Sequence, residues 1–173
     1  TAYRRQRQMC IRDRTNNQWG KHLSPGGSSG GASSAVMAGM CTLAHGNDIG
    51  GSLRFPSVAT GAVTLKPGLG RVPAWNSSQT NERGILAQSM SVQGLITRSA
   101  YDLQLAMPAI IQSDLRDPFQ VPMPRDTSHL SENSRKVALC YETPGFNTDP
   151  EIVKGLKIAA DALSNVVFEI HEV

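Results

Sequence analysis

The chain has 173 residues, of which 39% are hydrophobic, and it carries a formal charge of +3. This hydrophobic content is sufficient for a globular core, while no run of about 18 apolar residues is present, which argues against a membrane-spanning helix. The first residues are polar and basic and lack the apolar stretch of a secretory signal, so the sequence predicts a cytoplasmic protein.

The positive charge is concentrated at the N-terminus. Residues 1–14 contain five arginines and one aspartate, which leaves 12 basic and 13 acidic residues, net −1, in the remainder. The segment Met9–Asp13 is what the transposon end of a sequencing library would encode, so we predict that residues 1–14 form a non-native or disordered tail; a genuine basic arm is the alternative. The near-neutral remainder predicts no nucleic-acid partner.

The first predicted elements surround a cluster of glycines and serines at Gly26–Gly31. The stretch from Thr15 to Pro25 is polar and contains glycine and proline, which predicts a loop that leads into this cluster. Small residues from Gly31 to Leu43 predict a buried helix that also brings Met40 toward the core, and Gly46 is expected to end it as a C-terminal glycine.

A second glycine cluster, from Asp48 to Arg54, predicts a loop, because paired glycines favour neither helix nor strand. A short helix from Pro56 to Thr60 and a short strand from Gly61 to Leu65 are expected to follow it. The polar stretch from Arg71 to Ser91 predicts a long excursion over the surface.

The C-terminal part predicts a helix and then a strand–helix–strand unit. The helix spans Ser99 to Ile111, with Ser99 at its N-cap and Asp102 three residues later. The unit consists of a strand at Lys136–Tyr141, a helix from Pro150 to about Asn165 capped by Asp149, and a strand at Val166–Val173. This order predicts an α/β architecture with a right-handed parallel crossover.

The two glycine clusters supply groups that acyl transfer requires. Ser28 and Ser52 lie 24 residues apart, and Ser52 ends a Gly-Gly-Ser turn in which a hydroxyl can stand free. The adjacent backbone N–H groups can converge on one point, because no bulky side chain closes the concavity. These N–H groups belong to Ile49, Gly50, Gly51 and Ser52. A hydroxyl nucleophile beside converging donors is the arrangement that acyl transfer uses.

The segment from Ser24 to Pro73 closely resembles the amidase signature family. The resemblance includes both clusters, the Arg54–Ser57 continuation and Leu65-Lys66-Pro67, and it extends through Gln93–Ser99. Members of the family hydrolyse or transfer carboxylic amides through a Ser/cis-Ser/Lys triad. The resemblance implies an α/β fold in which a mixed β-sheet is flanked by helices.

The resemblance also implies a role for each cluster. Ser52 would be the acylated nucleophile, Ser28 the bridging serine with a cis peptide bond, and the loop 49–52 the oxyanion hole. The catalytic lysine of the family lies many tens of residues before the first cluster, so Lys21 and Lys66 do not match it. Family members are more than twice as long, so we expect residues 15–173 to be a partial domain that is nearly inactive by itself.

Other residues near the clusters have supporting or no expected roles. Asp48 and Arg54 are expected to brace the turn without taking part in the reaction, and Ser29 to hydrogen-bond Arg54 or the loop; ordinary loop contacts are the alternative. His45 lies near Ser52, but a serine–histidine pair is disfavoured. Cys41 and Cys140 lack metal-site spacing and are expected to be buried, so we predict neither metal nor cofactor.

The sequence therefore predicts an amidase that acts on a small-molecule amide through an acyl-enzyme. One alternative is the glutaminase subunit of a tRNA-dependent amidotransferase. Others are an anion-binding module, although Gly26–Gly31 lacks the ending of a phosphate-binding loop, and a noncatalytic interaction protein. A homodimer is compatible with each of these alternatives.

Overall fold

The computed structural model describes residues 14–75, 84–121, 136–142, 144–164 and 169–173. The chain divides into two compact units, Thr1–Met123 and Pro124–Val173. Apart from Arg14, the predicted tail lies outside the described residues. The α/β fold class is confirmed, since helices accompany both an antiparallel and a parallel sheet.

The first unit contains a three-stranded antiparallel sheet and four described helices. Its strands are β1 (Leu43–Asp48), β2 (Val63–Thr64) and β3 (Val92–Thr97), in the spatial order β1-β3-β2. Its helices are α1 (Gly30–Met37), α2 (Arg54–Thr60), α3 (Ile85–Met90) and α4 (Ala100–Ile110). Both serine clusters therefore belong to one unit.

The helix that follows the first cluster is shorter than the sequence predicted. It ends at Met37, and Gly39 takes a φ of +75°. The Gly39 amide donates to the Val36 carbonyl and the Met40 amide to the Ala35 carbonyl, which is the Schellman pattern of a helix C-terminus. The predicted end at Gly46 is wrong because Gly39 already turns the chain, and Met40 is exposed rather than in the core.

Two strands of the sheet were not predicted. Gly46 lies inside β1, where it pairs with Gly94 of β3. The fully buried side chains Val36, Leu53 and Ile96 form the core beside this sheet. Helix α3 also lies within the stretch that was expected to be a surface excursion; residues 76–83 of that stretch are outside the described residues.

Helix α4 agrees with its prediction. Ser99 is extended and accepts a hydrogen bond from the Asp102 amide, while the Ser99 hydroxyl contacts the Asp102 carboxylate at 2.8 Å. Pro108 lies inside the helix, which continues to Ile110. The capping pair therefore indicated the start of this helix more closely than its end.

The second unit contains the predicted strand–helix–strand order. Strand β4 (Lys136–Leu139) pairs in parallel with β5 (Glu169–Glu172), and α5 (Pro150–Leu163) lies between them in sequence. Asp149 caps α5 by accepting a hydrogen bond from the Glu151 amide. Cys140, predicted to be buried, is exposed and lies one residue beyond the end of β4.

Candidate active site

The loop that carries Ser52 is anchored by its next residue, Leu53. This side chain is completely buried and lies against the paired glycines of β1 and β3. A Cβ atom on Gly46 would lie 2.8 Å from Leu53 Cδ2, and one on Gly94 would lie 2.6 Å from Leu53 Cδ1. The glycine pair thus leaves the space that Leu53 fills, which fixes the backbone next to half-buried Ser52.

The buried carboxylate of Asp48 holds the same loop through hydrogen bonds. Asp48 ends β1 with its side chain fully buried, and its oxygens accept hydrogen bonds from the amides of Gly51 and Leu53 at 2.7 and 3.2 Å. The Arg54 amide also donates to Asp48, and the Arg54 guanidinium binds both carboxylate oxygens at 3.0 Å. The predicted bracing by Asp48 and Arg54 is consistent with these contacts.

The pKa of Asp48 follows from these bonds. The Arg54 guanidinium holds the pKa of this carboxyl well below its usual value of 3.8, and three backbone amides act in the same direction, while burial opposes them. Asp48 is therefore an anion at neutral pH, and its negative charge lies under the glycine turn. An ionised carboxylate that accepts hydrogen bonds at both oxygens has no proton to donate, so Asp48 stabilises the turn instead of taking part in proton transfer.

The four amides that were expected to form an oxyanion hole are not equivalent. The Gly51 amide donates to the Asp48 carboxylate, which argues against its predicted role. The amides of Ile49, Gly50 and Ser52 donate no hydrogen bond to any other residue that the structure describes. Gly50 is also exposed. These three are the candidate donors toward a bound carbonyl oxygen.

The first serine cluster lies directly beside the second. The peptide bond between Gly27 and Ser28 is cis, in agreement with the expectation from the resemblance, and Ser28 is exposed. The Ser29 amide donates to the Ser52 carbonyl oxygen at 3.3 Å. Gly26 has a φ of +73°, and a Cβ there would lie 2.8 Å from the Pro56 Cα. The backbone of the first cluster thus rests on the start of α2.

Ser29 supports the site through its backbone amide and its packing. Its hydroxyl lies above β1, where a Cβ on Gly46 would come within 2.7 Å of it. The guanidinium of Arg54, one of its two predicted partners, is hydrogen-bonded to Asp48 instead. The contact between the Ser29 amide and Ser52 agrees with the other predicted partner, the loop.

A clamp on the end of α2 was not predicted from the sequence. The Asn17 side chain donates to the Ala59 and Ser24 carbonyl oxygens, and the Gln18 and Trp19 side chains both donate to the Thr60 carbonyl oxygen. These contacts satisfy carbonyl groups that a helix end leaves unpaired. The polar residues Asn16–Gln18 next to Trp19 are the sequence signal that could have indicated that the loop from Thr15 to Pro25 packs against another element.

Other side chains considered from the sequence lie in ordinary surroundings. His45 is an exposed residue of β1, opposite Leu95, and Lys66 donates to the Pro67 carbonyl oxygen. Within the described ranges, no three histidine, cysteine, aspartate or glutamate side chains are grouped as metal ligands. The helices in those ranges are also too short or too polar to cross a membrane.

Comparison with known proteins identifies the family to which the chain belongs. The family model described as Amidase matches residues 3–173. The indoleacetamide hydrolase of Bradyrhizobium japonicum is 45% identical over 159 residues, which are 92% of this chain and 34% of that protein. One subunit of the glutamyl-tRNA(Gln) amidotransferase of Prochlorococcus marinus is 35% identical over 168 residues, which are 92% of this chain and 32% of that protein. The chain spans about a third of the length of these relatives.

Solved structures give the same result for the fold. A bacterial aryl acylamidase of the amidase signature family superposes with a TM-score of 0.74 at 30% identity, covering 92% of this chain and 32% of that one. The corresponding glutamyl-tRNA(Gln) amidotransferase subunit of Thermotoga maritima superposes with a TM-score of 0.72 at 29% identity, covering 92% and 35%. The Amidase family model matches nearly every residue of this chain, and the relatives described above resemble the chain in sequence and in fold. The chain therefore belongs to the Amidase family.

Proposed function

We propose that this chain is part of a longer amidase, in which it supplies the nucleophile and its proton relay. The observation that carries the proposal is the contact between the two serine clusters, in which the Ser29 amide, next to Ser28, binds the Ser52 carbonyl oxygen. Two serines held on adjacent, glycine-rich backbone are suited to pass a proton between them. The membership of the Amidase family supports this assignment.

In the proposed reaction, the Ser52 hydroxyl attacks the amide carbonyl carbon. The new C–O bond forms as the proton of Ser52 passes to Ser28, whose own proton moves to a lysine outside this chain. The relay then runs in reverse and protonates the leaving nitrogen, so that the C–N bond breaks and ammonia or an amine departs. Water attacks the resulting ester by the same route, which releases the acid and restores Ser52.

The amides of Ile49, Gly50 and Ser52 are proposed to stabilise the oxyanion that forms in each step. Loss of one such donor typically costs about 2.7–4 kcal/mol of transition-state stabilisation. The Asp48 carboxylate fixes the turn by binding Gly51 and Leu53 from the opposite side. We therefore assign Asp48 and Arg54, together with Ser29, to holding the loop in shape and not to proton transfer.

The similarity to an indoleacetamide hydrolase supports a small organic carboxamide as the substrate. A cytoplasmic location and the absence of a nucleic-acid partner are part of the same proposal. The test is release of ammonia from a panel of aryl acetamides that are primary amides of arylacetic acids (Ar–CH2–CO–NH2), with the full-length protein as the enzyme. Release that disappears in Ser52→Ala supports the proposal, and equal release by both proteins would overturn it.

A second candidate is the glutaminase subunit of a tRNA-dependent amidotransferase. The 35% identity to one subunit of the glutamyl-tRNA(Gln) amidotransferase supports it. It ranks second because the identity to the indoleacetamide hydrolase is higher, at 45%. Such a protein would act on glutamine and deliver ammonia to a partner. Ammonia release from glutamine that rises with added glutamyl-tRNA and partner proteins, without turnover of aryl acetamides, would favour this candidate.

A further inference from the structure

Two buried hydroxyl groups join the helices that follow the two serine clusters. Ser33 of α1 and Thr60 of α2 are both fully buried, and their hydroxyl oxygens lie 2.5 Å apart. Both hydroxyls also lie within hydrogen-bond distance of the Pro56 carbonyl oxygen, Ser33 at 3.2 Å and Thr60 at 2.9 Å. The three oxygens form a closed triangle between the helices.

The triangle is complete in its hydrogen bonding. Two hydroxyl groups supply two protons, so one hydroxyl donates to Pro56 while the other donates to the first hydroxyl. Since both hydroxyls are fully buried, each depends on this triangle for its hydrogen-bond partner. Hydrogen bonds are directional, so this contact restricts sliding between the helices more than apolar packing alone does.

The triangle is linked to both serine clusters through the backbone. The Ser33 amide donates to the Ser29 carbonyl at 3.0 Å, and the Ser29 amide donates to the Ser52 carbonyl at 3.3 Å. On the other side, Gly26 rests against Pro56. A change in the spacing of α1 and α2 would therefore move Ser28 relative to Ser52.

We infer that Ser33 and Thr60 are positioning residues that set the placement of Ser28 relative to the Ser52 nucleophile, an inference that rests on the proposed function. Neither residue touches the reacting atoms. They act by fixing α1 on α2, and through α1 the loop that carries Ser28. A displacement on the order of 1 Å in such a relay is enough to reduce a rate about a hundredfold.

The test uses the full-length protein and a fluorophosphonate probe that acylation-competent serines attack. The main variant is Ser33→Ala, because it removes every hydrogen bond of the triangle that joins the two helices, while Thr60 can still donate to the Pro56 carbonyl oxygen. The matched control is Ser34→Ala on the same helix, since the buried Ser34 hydroxyl has no hydrogen-bond partner among the described residues. Thr60→Val removes the second hydroxyl, and Thr60→Ser retains it.

We expect Ser33→Ala and Thr60→Val to slow labelling of Ser52 about tenfold or more and to lower kcat with KM unchanged, as misplacement of a relay predicts. Ser34→Ala and Thr60→Ser should stay within about twofold of the wild type.

Equal rates for Ser33→Ala and Ser34→Ala would overturn the inference. If Ser33→Ala fails to fold, the comparison of Thr60→Val with Thr60→Ser decides it. A wild type that is not labelled would overturn the proposed function as well, whereas a labelled wild type with unaffected variants would overturn this inference alone.

Discussion

The backbone amide of Ser29 donates a 3.3 Å hydrogen bond to the carbonyl oxygen of Ser52. This contact joins two loops that are 24 residues apart in the sequence, counting from Ser28 to Ser52. Because a backbone bond does not depend on side-chain rotamers, it fixes the two catalytic candidates on one rigid support. Groups that maintain this support are therefore expected to influence both stability and the rate of acylation.

Replacement of the buried carboxylate, Asp48→Asn, should destabilise the protein and slow acylation. An amide retains one acceptor but presents an N–H group to the donors of the turn, so buried hydrogen bonds are lost. Since the Arg54 side chain is 54% exposed and stays solvated, we expect a loss of about 1–3 kcal/mol in the free energy of unfolding. Asp114→Asn, in a more solvent-exposed pair with Arg116, is the control and should lower the free energy of unfolding less than Asp48→Asn does.

The same carboxylate predicts a pH dependence. Its folded-state pKa is lowered from 3.8, first by the Arg54 hydrogen bonds, so its contribution to stability is present at higher pH and is lost as the pH falls below about 4 toward the folded-state value. Urea unfolding from pH 7 down to pH 3 should show the difference between wild type and Asp48→Asn shrinking at the acid end. A difference that grows on acidification would contradict this assignment.

Gly46→Ala, inside strand β1, should lower both the stability of the protein and the rate at which Ser52 is labelled. The new methyl group would lie 2.7 Å from the Ser29 hydroxyl and 2.8 Å from Leu53, so the neighbours of the proposed catalytic serines, Ser28 and Ser52, must both move. Overpacking of this kind costs about 1–3 kcal/mol. Thermal unfolding and the rate of probe labelling measure the two effects. Gly68→Ala, where a Cβ would have no heavy atom within 4 Å, is the control and should change neither.

Ser28→Ala tests the proton relay without removing the nucleophile. Loss of a positioned proton-transfer group typically lowers the rate about 10²–10⁴-fold, so kcat for amide hydrolysis should fall by this order. The adduct with the probe should still form on Ser52, only more slowly. Ser24→Ala changes a hydroxyl that caps the Gly26 amide in an exposed loop and should have a small effect. Full activity of Ser28→Ala would exclude Ser28 as the relay.

Local signals in the sequence were sufficient for several elements. The Ser99 and Asp149 caps located the starts of α4 and α5, because each side chain satisfies an amide within three residues of itself. The glycine clusters indicated both the loops and the cis bond before Ser28, since the resemblance depends on those residues themselves. Such features require no information from distant parts of the chain.

Tertiary contacts account for what the sequence did not indicate. Strand β1 contains Gly46 and lacks alternating apolar residues, so only its pairing with β3 defines it. The Gly51 amide was expected to face a substrate, but the buried Asp48 carboxylate binds it instead. Ser33 and Thr60 are 27 residues apart and show no local pattern that pairs them. In each case the partner is fixed by packing rather than by neighbours in sequence.

Acylation of Ser52 by substrate is the step on which the proposed function depends. It is tested most directly by mass mapping of the fluorophosphonate adduct on the full-length protein, with Ser52→Ala treated in parallel. We expect one adduct on the peptide that contains Ser52, and none in Ser52→Ala. An adduct that persists in Ser52→Ala, or that maps to another residue of the wild type, would contradict the assignment of Ser52 as the nucleophile.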